Sequence, residues 1–142
     1  MIYAKINLDK TNYPVKLNWQ YIRNPNIEEL NTIYKKYCQY KNFKSVMPIF
    51  DSEYVDIKND IIGYFDKDTL VAFSLLRRYN QFDVEALQFA WTYHEPKLRL
   101  GIESLKHECA VYKNLGYKFL YLGEADEYKS EIDGFEILGT LT

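Results

Sequence analysis

His94 closes a strand-like run, and an imidazole titrates near neutral pH, which suits it to take or give a proton at a reacting group. Glu85, earlier on the same run, is a carboxylate that could do this through a bridging water. Just beyond the run, Gly101 lies near the opening of an amphipathic pattern. A helix starting there presents unbonded main-chain amides and the positive end of its dipole to an anion, and glycine lets a phosphate approach the backbone. Metal chemistry has little to build on. The two cysteines, Cys38 and Cys109, fall in helical apolar patterns as buried thiols, and two histidines with no Cys-x-x-Cys give no basis for zinc.

The 142 residues are expected to form a single domain over 1–142, with 47% apolar and 27% charged residues in the range of a folded globule. A net charge of -2 gives no broad reason to expect DNA or an anionic membrane as partner. The longest apolar run, 70–76, is far short of the roughly 20 residues of a membrane span, and no basic segment leads into an apolar one at the start, so a cytoplasmic location is expected. The excess is aromatic: 14 Tyr, 8 Phe and 2 Trp, most of them placed where a core would need them.

The elements that must position these groups follow from periodicity. Alternation over 1–8 predicts a half-buried strand, with a second short extended piece at 15–19. Asn24-Pro25-Asn26 supplies a stop and a cap, with Glu29 in capping-box position, before a helix whose face carries Leu30, Ile33, Tyr34, Tyr37 and Cys38. The stretch 41–60, with Pro48 and the acids Asp51, Glu53, Asp56 and Asp60, is a long connection whose acids could attract a cationic acceptor. Strands at 61–65 and 70–77 form a hairpin across Asp66-Lys67-Asp68-Thr69, and a third at 84–93 extends the meander. Arg77 and Arg78 at a strand end are expected to pair with nearby acids. Leu98, Ile102, Leu105, Cys109 and Tyr112 make a helical stripe that Gly116 ends, leaving His107 on the exposed side. A strand at 117–122, joined by this helix to the third strand, makes the crossover parallel and the sheet mixed. A polar turn or short helix around 126–133 and a last strand at 135–141 complete the chain.

Strand, helix, three-stranded antiparallel meander, helix, parallel strand, short helix, strand: this order resembles the Gcn5-related N-acetyltransferase (GNAT) fold. That fold is an α+β, α/β/α sandwich with a mixed central sheet and helices on both faces. Two local patterns carry the likeness. The first is Glu95-Pro96-Lys97-Leu98-Arg99-Leu100-Gly101-Ile102-Glu103-Ser104, similar to the family's loop from its fourth strand into its main helix. Gly101 matches that loop's first glycine, while Leu98 replaces the usual Gln or Arg and Glu103 the second small residue. The second is Tyr128-Lys129 ahead of Gly134-Phe135, whose spacing, with Leu100-Gly101 and Leu122-Gly123, is more similar to the branch of aminoacyl-tRNA-protein and Fem-like transferases.

The resemblance implies a small acyltransferase that moves an acetyl group from acetyl-CoA to the amine of a small molecule or peptide by direct attack. Its aminoacyl-tRNA branch implies charged tRNA as an alternative donor. The departures at Leu98 and Glu103 also suit a non-catalytic binding or regulatory domain of the same fold. Carried over residue by residue, Trp91, Thr92 and Tyr93 form the strand edge facing the donor. Arg99, Leu100, Gly101, Ile102, Glu103 and Ser104 form the cradle for the pyrophosphate of CoA. Tyr128 becomes the acid for the departing thiolate, with Glu85 and His94 as candidate bases. The strands at 84–93 and 117–122 should then part at Tyr93 and Tyr121, opening a V-shaped cleft above the amides of Arg99 to Ser104.

Overall fold

The structure is a computed structural model that describes residues 2–15, 18–41, 51–92, 100–122 and 131–140. The described strands form one seven-stranded sheet: β1 (Ile2–Asn7), β2 (Trp19–Tyr21), β3 (Asn59–Asp66), β4 (Thr69–Arg78), β5 (Asp83–Trp91), β6 (Phe119–Leu122) and β7 (Phe135–Thr140), in spatial order β2-β3-β4-β5-β6-β1-β7. Only the β5–β6 pair is parallel, so the sheet is mixed, as the helical crossover requires. The first strand of the chain lies in the interior of the sheet, antiparallel to both β6 and β7. Its alternation of Ala4, Ile6 and Leu8 is what an inserted strand with one buried face needs. The second extended piece begins later than expected, at Trp19, and Val15 is exposed.

Helices cover both faces. α1 (Ile27–Lys41) starts where the Asn26 side chain accepts the Glu29 amide at 3.2 Å, and it buries Leu30 and Ile33 on Phe73, Leu75 and Ala90. α2 (Asp51–Val55) is a short turn within the long connection, and its Tyr54 joins the same core. Residues 42–50 of that connection lie outside the described residues. α3 (Leu100–Asn114) packs the opposite face with Ile102, Leu105, Cys109 and Tyr112 against Ile6, Ile62, Tyr64, Leu76 and Leu120. Gly116, at φ +96°, ends the helix as expected. Cys38 and Cys109 are free thiols, Cys109 buried and Cys38 only half-buried.

The β3–β4–β5 meander is present, with one feature that its periodicity did not announce. Leu75 pairs with Gln88 but Leu76 pairs with Ala86, so Leu87 is an extra residue, a β-bulge in β5. The bulge shifts the phase of the strand. Val84 and Ala86 face the α3 core before it, and Phe89 and Trp91 face that core after it, while Leu87 itself packs toward α1.

Candidate functional site

The bulge directly follows the last described rung between β5 and β6. The two strands share four rungs, Asp83 with Phe119 through Ala86 with Leu122, and β5 then continues from Leu87 to Trp91 with β4 as its partner among the described residues. The sequence placed the parting of these strands at Tyr93 and Tyr121. Tyr121 is paired with Glu85, and the last described rung is Ala86 with Leu122; Tyr93 and the residues after Leu122, where the parting is expected, lie outside the described residues. An extra residue such as Leu87 bends its strand and increases the local twist.

Beyond the bulge the edge has a direction. The Thr92 amide donates to the Val71 carbonyl at 2.8 Å and its hydroxyl to the same oxygen at 3.2 Å, so Thr92 faces β4 and is buried. Thr92 is therefore not a donor-facing residue. Successive amides of a strand alternate in direction, so Phe89 and Trp91 turn theirs toward the side that β6 occupies lower down. The Trp91 ring meets Tyr37 and Tyr40 of α1 at centroid distances of 5.4 and 5.0 Å. Two tyrosines of one helix thus wall the end of β5.

The first turn of α3 comes next. Leu100 and Gly101 are helical, and the opening amides of a helix have no acceptor within it. Ile102 and Ser104 point into the core, at 7% and 2% exposure, so only their main chain could touch a donor. The Ser104 carbonyl accepts from the Tyr64 hydroxyl at 3.3 Å. Glu103, whose charge opposes an anion at this place, has Lys106 at 3.9 Å one turn on. An acid in the first turn also interacts favourably with the helix dipole. Helix-opening amides, a residue without a Cβ and a balanced Glu103 fit a diphosphate. Tyr93, His94, Arg99 and Tyr128 lie outside the described residues.

Glu85 faces the α1 side of the sheet, where its carboxylate accepts from the Tyr79 hydroxyl. That hydrogen bond, more than burial, holds the Tyr79 phenol above its ordinary pKa. Beside this pair a cavity of about 330 Å³ opens at the end of the shared rungs, reaching Tyr121, Leu122 and Leu138. Sequence reasoning missed Tyr79, Asp83 and Leu138, because they come together with Glu85 and Tyr121 only through the register of β5, β6, β1 and β7. The acids of the connection are less available than expected. Asp56 is bound to Arg77 at 3.1 Å, and Asp60 to Arg78 at 3.3 Å and to the Tyr112 hydroxyl at 2.7 Å. The pairing of both arginines with acids is as expected.

A second polar group sits under α3. Glu108, 3% exposed, accepts from the Tyr64 hydroxyl at 2.6 Å and the Ser74 hydroxyl at 2.5 Å, yet burial pushes its carboxyl up to about 7. His107 is not on an exposed side: it is 1% exposed, with its ring against Trp19 and Tyr64. Among the described residues neither ring nitrogen has a hydrogen-bond partner, and burial pushes the imidazole down to about 4. The helix stripe misled here because α3 is enclosed by β2 and β3 as well as by the central strands.

No family model matches the chain, and no curated protein matches it. Solved structures share its fold. L-PGS from Bacillus licheniformis superposes with a TM-score of 0.63 at 15% identity, over 87% of this chain and 46% of that one. A GCN5-related N-acetyltransferase from Kribbella flavida gives 0.57 at 11% identity, over 95% of this chain and 53% of that one. Saccharomyces cerevisiae N-myristoyltransferase with bound myristoyl-CoA gives 0.58 at 11% identity, over 94% and 46%. The chain therefore spans about half the length of each of these three. At such identities the likeness is one of fold, and the fold is that of the GNAT acyltransferases.

Proposed function

We propose that this chain is an acyltransferase that transfers an acyl group from a thioester donor, acetyl-CoA as the specific case, to an amine. The observation that supports this best is the β5 edge: a bulge at Leu87 follows the last described rung with β6, and beyond it Thr92 turns its amide to β4, so that Phe89 and Trp91 turn theirs to the other side. An extended amide-bearing donor can lie along such an edge as an added strand. Edge amides such as those of Phe89 and Trp91 are suited to hold the oxyanion of a tetrahedral intermediate. The main chain of Leu100 to Ser104, with Arg99 ahead of it, would hold the diphosphate of CoA. That donor supplies the activated thioester.

The chain's own groups handle the protons. Glu85, at the end of the shared rungs, takes the proton of the amine directly or through water, with His94 as the other candidate base. Tyr128 is the candidate acid for the departing thiolate. Tyr93 extends the donor edge. The shared fold with acyltransferases, one of them with myristoyl-CoA bound, supports the reaction class. Melting the protein in about 1 mM CoA tests the reading, because a ligand that binds only the folded state raises the midpoint. A clear rise is expected; an unchanged midpoint overturns the CoA donor.

A further inference from the structure

The cavity beside β5 has a charge pattern of its own. Two carboxylates line it, Asp83 and Glu85, together with the Tyr79 and Tyr121 rings. Among the described residues neither carboxylate has a cationic partner. Glu85 is held by the Tyr79 hydroxyl, and Asp83 by the Asn80 side-chain amide at 2.8 Å. The cations at neighbouring rungs make their close contacts elsewhere, although the Arg77 charge still reaches the Tyr79 phenol. Arg77, the cross-strand partner of Glu85, is bound to Asp56 at 3.1 Å and to Asn59 at 3.3 Å. Lys5, the cross-strand partner of Tyr121, lies 3.8 Å from Glu136 and 4.2 Å from the centre of the Phe119 ring.

Two like charges facing one concave space, with nearby bases engaged away from it, favour a cationic occupant. The other walls add shape. Leu138 supplies an apolar wall, and it is itself the extra residue of a bulge in β7, since Tyr3 pairs with Gly139 and Ala4 with Ile137. The volume, about 330 Å³, is at the small end of ligand sites. A phenol face also attracts an ammonium group.

We infer that this cavity binds a small protonated amine carrying an apolar body, with the ammonium between Glu85 and Asp83 and the body against Leu138 and the Tyr121 ring. The inference names the class of acceptor for the transfer proposed above and rests on that reading for its biological meaning, but the binding itself requires no donor.

Calorimetric titration of the protein, without any acyl donor, compares 2-phenylethylamine with its neutral counterpart 2-phenylethanol. The amine is expected to bind about ten-fold tighter, the ratio of one charge-assisted contact. Glu85→Gln should reduce the amine to the level of the alcohol without changing the alcohol, and Asp83→Asn should weaken the amine in the same direction. Unchanged melting midpoints of both variants show that the fold is kept. Equal binding of amine and alcohol, no binding of either, or indifference to E85Q overturns the assignment. Amine binding that depends on Glu85, with no amide formed from any thioester donor, would leave the cavity assignment standing and remove the transferase reading.

Discussion

Glu108 and His107 are neighbours in sequence whose pKa values burial shifts in opposite directions. Burial raises the Glu108 carboxyl from an ordinary 4.5 to about 7 and lowers the His107 imidazole from 6.5 to about 4. Between those limits the unfolded chain carries Glu⁻ and His⁺ while the folded protein carries the neutral pair, so folding moves no net proton. Taken singly, the raised Glu108 contributes stability that is full below its unfolded pKa and lost as pH rises through about 7. The depressed His107 contributes stability that is full above 6.5 and lost as pH falls toward about 4. Each change is worth roughly 3 kcal/mol, and together they leave a flat profile. Single variants should therefore tilt it in opposite directions. His107→Phe, which keeps the ring contacts with Trp19 and Tyr64, leaves a protein that weakens between about pH 5 and pH 7. Glu108→Gln leaves one that strengthens between about pH 4 and pH 6.5. Denaturant midpoints across this range decide the matter; tilts of the same sign, or none, would show that the two groups do not titrate with folding.

β5 shows what one inserted residue does to an element. Remove Leu87 in thought, and Val84, Ala86, Phe89 and Trp91 alternate as a regular strand with the faces they already have. The deletion variant lacking Leu87 should fold, with a stability loss of about 1–3 kcal/mol for the missing side chain. Its strand would lack the local bend and twist that the bulge adds, and the rise in melting midpoint with CoA should disappear. A retained response would show that the bulge does not make the donor edge. This is also where the sequence was least legible. The α3 stripe, the Asn26 cap, the β3–β4 turn and the parallel crossover all follow from local pattern, and the observed elements agree with them. Leu87 looks like any other apolar residue in an apolar run, because a bulge is defined by the register of its partner. The same holds for the cavity, whose Tyr79 and Glu85 meet across a turn, and for His107, whose burial depends on β2 reaching over α3. The position of Gly101 near a helix start could be read directly, since capping and the dipole are local effects.

At the scale of the whole molecule, β1 holds the sheet together. Among the described residues, β7 touches the sheet only through β1, and β1 also closes the sheet against β6. Ile6 is fully buried where its rungs meet Leu120 and Phe135. Ile6→Ala should cost about 3 kcal/mol. In native-state hydrogen exchange, the loss of protection should fall first on β1 and β7 and spare the β3–β4 hairpin; uniform loss across all strands would contradict this division. The place of β1 also sets a timetable for the nascent chain. More than a hundred residues separate its end from the start of β6. At ribosomal speed that is a delay of roughly ten seconds, during which an apolar strand waits while the β3–β4–β5 meander can already form. β1 is thus made well before either strand it pairs with, so a chaperone that shields residues 2–8 during synthesis would raise the yield of folded protein more than one that acts after β7 has been made.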